Sequence, residues 1–113
     1  MITDKLKELL ATRLKDLVAT GKIGLGGNTT SPLALDLDVP IGNITPSINA
    51  EKSNVNVVQI KIEEVGSNIT GKLIREMGFF DSSSNMLGRV NFEAVGPFSG
   101  TERIQIFLTV EVE

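Results

Sequence analysis

The chain contains no cysteine, histidine, tryptophan or tyrosine. Each absence removes a class of chemistry. Without cysteine there is neither a disulfide framework nor a thiolate metal site. Without histidine the commonest general base and the commonest metal ligand are gone. Serines and threonines are plentiful, but no imidazole exists to activate one, and nothing marks a Ser/Lys pair. An excess of charge of one sign is missing too: 11 Lys and Arg stand against 14 Asp and Glu, a net charge of −3. Clustered cations are what nucleic-acid affinity requires, and here they are dispersed. The five phenylalanines do not alternate with basic residues, so a base-stacking platform is lacking. No nucleic-acid partner is expected. No run of about 18 apolar residues exists, so no membrane insertion is expected. The start, Met1 to Leu10, is charged and amphipathic rather than a signal peptide.

What remains is one domain, residues 1–113. A chain of this length buries roughly 65% of its unfolded surface, enough for one core without staples. Residues 4–20 read as a helix: Leu6, Leu9, Leu10, Leu14, Leu17 and Val18 recur at spacings of three and four. Thr3 suits the N-cap, Asp4 the first turn and Gly21 the stop. The stripe fits packing on the chain's own sheet or a contact between subunits. Residues 22–43 read as a long connection, with a glycine-rich stretch from Gly24 to Gly27 and a brief alternation from Leu33 to Val39.

From Ile44 onward the period changes to two. Strands are expected over 44–50 (short), 55–65 (long), 73–80 and 87–92, with a turn at Lys52–Asn54, a bulge near Val57 and a hairpin turn at Asp81–Asn85. A final strand alternates Ile104, Ile106, Leu108, Val110 and Val112 with Gln105, Phe107, Thr109 and Glu111. The expected fold is α+β and mainly β: an N-terminal amphipathic helix (1–21), an extended loop (22–43), and a core (44–113) that is a mostly antiparallel sheet or small β-sandwich of about five strands.

Several stretches mimic chemistry without completing it. Gly66 to Lys72 has P-loop spacing, but Leu73 supplies no hydroxyl and a strand pattern follows. Asp81-Ser82-Ser83-Ser84-Asn85 opens like a calcium loop, yet its sixth position is Met86 and its twelfth Phe92. Asp36 and Asp38 share one side of an alternating stretch and read as a solvated face. Glu63 and Glu64 are adjacent on a strand and point to opposite faces. No catalytic, cofactor-binding or metal residue is assigned, no cofactor is expected, and the chain reads as a non-enzyme.

Two stretches carry a resemblance. Ile74-Arg75-Glu76-Met77-Gly78-Phe79-Phe80-Asp81, a polar turn, then Asn85-Met86-Leu87-Gly88-Arg89-Val90-Asn91-Phe92 resembles a segment of bacteriophage tail-fibre and related tail proteins, where an Ile-Glu-Glu-Ile-Gly-Leu-Phe-Asp-like strand meets a turn and a strand beginning with Leu. Ile23 to Leu37 is similar to the Gly-Thr-Gly-Thr-Thr-Ala-Pro-x-x-x-Asp-x-x-Leu motif of small virion structural proteins in tailed phages. The sequence departs from the motif in having Gly27-Asn28 in place of part of the Gly-Thr pair and Leu35 before the Asp.

The resemblance implies a tail, baseplate, collar or fibre-attachment protomer: a self-assembling homo-oligomer, trimer or ring, that contacts other virion tail proteins. Its place would be the virion, assembled in the host cytoplasm. Candidate intersubunit contacts are Leu25, Thr29, Pro32, Leu33, Leu35 and Leu37 in the loop, with Leu6, Leu10, Leu14 and Leu17 on the helix. A β-sandwich module that recognises a cell-surface carbohydrate or protein is the alternative.

Overall fold

The structure, a computed structural model, describes residues 1–28, 30–31 and 33–113. One helix and six strands follow one another: α1 (Asp4–Leu17), β1 (Thr20–Gly24), β2 (Ser47–Asn54), β3 (Val57–Val65), β4 (Ile74–Phe80), β5 (Met86–Val95) and β6 (Arg103–Glu111). The strands form two three-stranded sheets, in the orders β1-β4-β5 and β2-β3-β6, and every strand pairing is antiparallel. The mainly β, α+β expectation holds, with six strands rather than about five.

Helix α1 starts where its cap dictates. The Leu6 N–H donates to the Thr3 hydroxyl at 3.3 Å, with Asp4 in the first turn and Lys15 in the last, both favourable for the dipole. It ends at Leu17, earlier than its apolar spacing implies, and Gly21 is not its stop. Sheet pairing claims these residues instead. The Ala19 N–H donates to the Phe80 carbonyl at 2.9 Å, and Thr20–Gly24 pairs with β4. Gly21 is needed for proximity: a Cβ there would lie 2.7 Å from Ile62 Cδ1, so β1 can press on the opposite sheet only without a side chain.

Strand β1 straddles the boundary between the segment that reads as helix (1–21) and the one that reads as extended loop (22–43). Its composition, Thr-Gly-Lys-Ile-Gly, is poor for a strand. It forms because β4 offers an edge, an example of tertiary pairing overriding propensity. Strand β2 begins just after Pro46 and runs through Lys52–Asn54, which the sequence presents as a turn; the turn is at Val55–Asn56. The irregularity expected at Val57 falls on the partner strand, between Lys52 and Asn54.

The sheets face each other. Ile23, Ile74 and Met77 from one meet Ile62 and Ile104 from the other, with Ile69 and Phe98 closing the end. Farther along, α1 takes over as the cover: Ala11 packs with Val58, Ile60 and Phe79, and Leu14 and Val18 lie against that group. The helix thus completes the roof over part of the β2-β3-β6 sheet. No helix among the described residues is long and apolar enough to cross a membrane.

Candidate functional site

The outer face of the β1-β4-β5 sheet carries an organised polar cluster under the 25–39 loop. Its centre is Glu76, on the middle strand β4 and 0% exposed. An isolated carboxylate there would be strongly destabilising. The loop supplies what water would have given. The N–H groups of Gly26 and Val39 donate to Oε2 at 2.8 and 2.9 Å, and that of Asp38 donates to Oε1 at 2.8 Å. Arg89 of β5 places Nη2 3.2 Å from Oε1.

The guanidinium is 10% exposed and also reaches the Asp36 carbonyl at 3.3 Å, Asp38 Oδ2 at 3.4 Å and Asn91 Oδ1 at 2.7 Å. Asp38 Oδ2 in turn accepts the Asn28 N–H at 2.7 Å. Asp38 thus stays at the exposed surface expected of it, with its carboxylate engaged by Arg89 and the loop backbone. Asp36 remains exposed, joined to Lys22 Nζ at 3.2 Å, and Lys22 rests 4.7 Å above the Phe80 ring.

This cluster explains the glycines of the loop. A Cβ on Gly24 would sit 2.6 Å from Glu76 Oε2, and one on Gly26 would sit 2.8 Å from the same atom. Close backbone approach to a carboxylate leaves no space for side chains. Gly27 has φ +83°, the left-handed region that glycine adopts at no steric cost.

Glu76 and Arg89 escape sequence reasoning. In an alternating strand, Arg-Glu between apolar residues reads as outward-facing. The alternation breaks because β4 and β5 change register between Ile74 and Glu76, so Ile74 and Met77 both enter the core. The available signal is the glycine spacing ahead of two aspartates, which marks a backbone approaching something it must touch.

The structure distributes the candidate contact residues unevenly. Leu33 and Leu35 are 84% and 86% exposed, held out by the pinned loop. Leu37 is buried against its own sheet, over Gly78, and Leu25 packs on the inter-sheet core. Thr29 and Pro32 lie outside the described residues. On the helix, Leu6 and Leu10 face outward together with Leu9, whereas Leu14 packs inside and Leu17 is half-buried. The outward set is thus Leu6, Leu9, Leu10, Leu33 and Leu35. Leu14 and Leu25 are occupied in the two inner core clusters, and Leu37 covers the outer face of the β1-β4-β5 sheet.

Elsewhere the charged groups are structural in character. Glu63 is held below its ordinary value by the Gln105 side-chain amide that donates to it, with Arg103 at 3.2 Å and Lys61 adding attraction. Glu64 is buried and accepts from the Val65 N–H and Asn68 Nδ2, both at 2.9 Å. The P-loop-like stretch folds as a 3-10 turn at Gly66–Asn68 that leads towards a strand. Asp81 closes the β4-β5 hairpin, accepting from the Ser83 and Asn85 N–H groups at 2.9 Å. The chain matches no known family model and no curated protein.

Proposed function

We propose that this chain is a structural, self-assembling protein of a tailed-phage particle, working through protein–protein contacts in a tail, baseplate, collar or fibre attachment. One observation carries the reading. The two stretches that resemble phage tail proteins, 23–37 and 74–92, form a single physical unit here. Glu76 and Arg89 from the second hold the loop of the first. That unit fixes a loop whose tip displays Leu33 and Leu35 to solvent. A rigid anchor beneath exposed apolar side chains suits a repeated contact, because little ordering entropy is lost when a neighbour covers them.

The test is solution mass across a concentration series. The wild-type chain is expected to form oligomers. The variant L33D/L35D is expected to give smaller assemblies with an unchanged circular dichroism spectrum, since neither side chain supports the core. A wild-type chain that stays monomeric at every concentration overturns the reading.

A further inference from the structure

A two-layer sandwich has four free edges, and this one treats them unequally. Strand β1 is five residues long, and its outer side is occupied: the Leu25 N–H donates to the Val39 carbonyl and the Ile41 N–H to the Ile23 carbonyl. Strand β2 follows Pro46 and is interrupted between Lys52 and Asn54. Strand β5 changes register twice. Short length, covering segments and bulges are the ordinary means of blocking unwanted strand addition. Strand β6 has none of them. It pairs with β3 over nine consecutive residues without a shift and contains neither Pro nor Gly.

The backbone direction of β6 is fixed by its neighbours. The Val112 N–H donates to the Asn56 carbonyl, and the Glu102 carbonyl accepts from the Gly66 N–H. Even-numbered residues therefore point their amides at β3. Arg103, Gln105, Phe107, Thr109 and Glu111 point theirs at the free edge.

Laid antiparallel against a copy of itself with Phe107 on the two-fold axis, this edge is self-complementary throughout. Arg103 faces Glu111 at both ends, Gln105 faces Thr109, and Phe107 faces Phe107. On the inner face Ile104 meets Val110 and Ile106 meets Leu108. Each facing odd-numbered pair exchanges two backbone hydrogen bonds, about ten in all. Sliding by one hydrogen-bonded step replaces the Arg–Glu pairs with Arg–Thr or Glu–Gln and shortens the overlap. Glu111 has no ion-pair partner within the chain among the described residues, and Phe107 is 55% exposed.

The inner side chains of the incoming strand also find a destination. A largely apolar groove of about 510 Å³ lies open between β5 and β6, where Val90, Phe92, Val95, Ile104 and Ile106 outnumber the polar Glu93 and Gln105. The partner's Leu108 and Val110 would arrive beside Ile106 and Ile104, over that groove.

We infer that β6 is a homodimerisation edge, which joins two copies into a continuous six-stranded sheet, β2-β3-β6-β6-β3-β2, in the register centred on Phe107. This rests on the self-assembly reading and assigns it a surface different from the Leu33–Leu35 tip. The symmetry is that of an isologous two-fold contact.

The absence of native cysteine makes the register directly testable. In the proposed pairing the two copies of residue 107 have Cα atoms about 5.5 Å apart, inside the roughly 4.4–6.8 Å that a disulfide spans. Two copies of residue 105 or of residue 109 are about 13 Å apart, beyond reach. Mild oxidation of F107C is expected to yield covalent dimer, with Q105C and T109C at least about tenfold less efficient. Adding E111R to F107C is expected to lower cross-linking about tenfold, because Arg103 then meets a second guanidinium at both ends. The combination R103E/E111R is expected to restore it.

Cross-linking of F107C no better than that of Q105C, with the wild type still oligomeric, overturns the β6 edge and leaves the self-assembly reading standing. A monomeric wild type with no cross-linking at any of the three positions overturns both.

Discussion

The β2-β3-β6 sheet and the β1-β4-β5 sheet share one core between them but complete themselves by different means. The first follows simple alternation. Val58, Ile60 and Ile62 point inward and are fully buried, the residues between them point outward, and the β3-β6 register runs unbroken. The second is covered on both faces. Its middle strand is almost entirely buried, and its outer cover is a loop, not a sheet or helix. A loop brings unpaired amides with it, so a buried acceptor is required beneath. Glu76 is that acceptor, and Arg89 balances its charge. The unbroken β3-β6 ladder leaves an edge free for pairing, whereas the face sealed by a loop needs a buried carboxylate to receive the loop amides.

That contrast is open to direct attack. The largest effect is expected at Glu76. Replacing it with Ala leaves Arg89 buried without its main partner and three loop amides without acceptors, a loss of about 3–5 kcal/mol measured by urea unfolding. Hydrogen exchange separates this from general weakening: the Gly26, Asp38 and Val39 amides should lose protection before the rest of the fold. Continued slow exchange at those three would mean that something other than the carboxylate holds the loop.

Ile60→Ala removes a fully buried side chain from the regular sheet and should cost about 2–5 kcal/mol. Here protection should fall across β3 and its neighbours, with no selective release of the loop. If Ile60→Ala freed the loop as readily as Glu76→Ala, the two sheets would be one energetic unit and the distinction would collapse.

A smaller loss, about 1–3 kcal/mol, is expected for Gly66→Ala at the junction beyond β3. A Cβ there would overlap the Ser99 carbonyl oxygen and stand 2.7 Å from that of Glu102, so backbone must move. Gly100→Ala, where nothing lies within 4 Å, serves as the control and should be near neutral in thermal melting.

The weakest effect concerns the β4-β5 turn. Asp81 is held below its usual 3.8, first by the Asn85 side-chain amide, then by the Asn85 and Ser83 backbone N–H groups. A carboxyl whose folded value is depressed contributes stability that is fully present above its unfolded value and is lost as pH falls through the folded one. The hairpin contribution should therefore fade only below about pH 4. Asp81→Asn should flatten that part of the stability–pH curve; an identical acid limb in both proteins would remove Asp81 from the account.

The legible parts of the fold were those with one face in and one face out. The alternation of Ile104 to Val112 marks β6, the Thr3 cap and leucine spacing mark α1, and Asp81 to Asn85 marks the hairpin. Strand β1 was hidden because Thr20–Gly24 has little strand preference of its own and depends on the edge of β4. The Glu76–Arg89 cluster was hidden because its donors come from residues 26, 38 and 39, nearly forty or more positions away from Glu76. No local pattern encodes such a meeting. Of the loop positions marked as contacts, Leu33 and Leu35 ended outside and Leu37 inside, although all three are leucines at alternate positions. Truncating the loop outright would strand the Glu76 carboxylate, so point substitutions at its tip are the cleaner probe of its contacts.

By itself, the amino-acid order determined the class of molecule. It lacks imidazole and thiol, carries one amphipathic helix, and continues as period-two segments that can be satisfied only by a layered β structure. The tertiary structure alone decided which polar groups went inside and which edge stayed open. Both depend on partners distant in sequence: a carboxylate can be buried only where a folded loop brings it donors, and an edge is free only where no other segment has arrived to cover it.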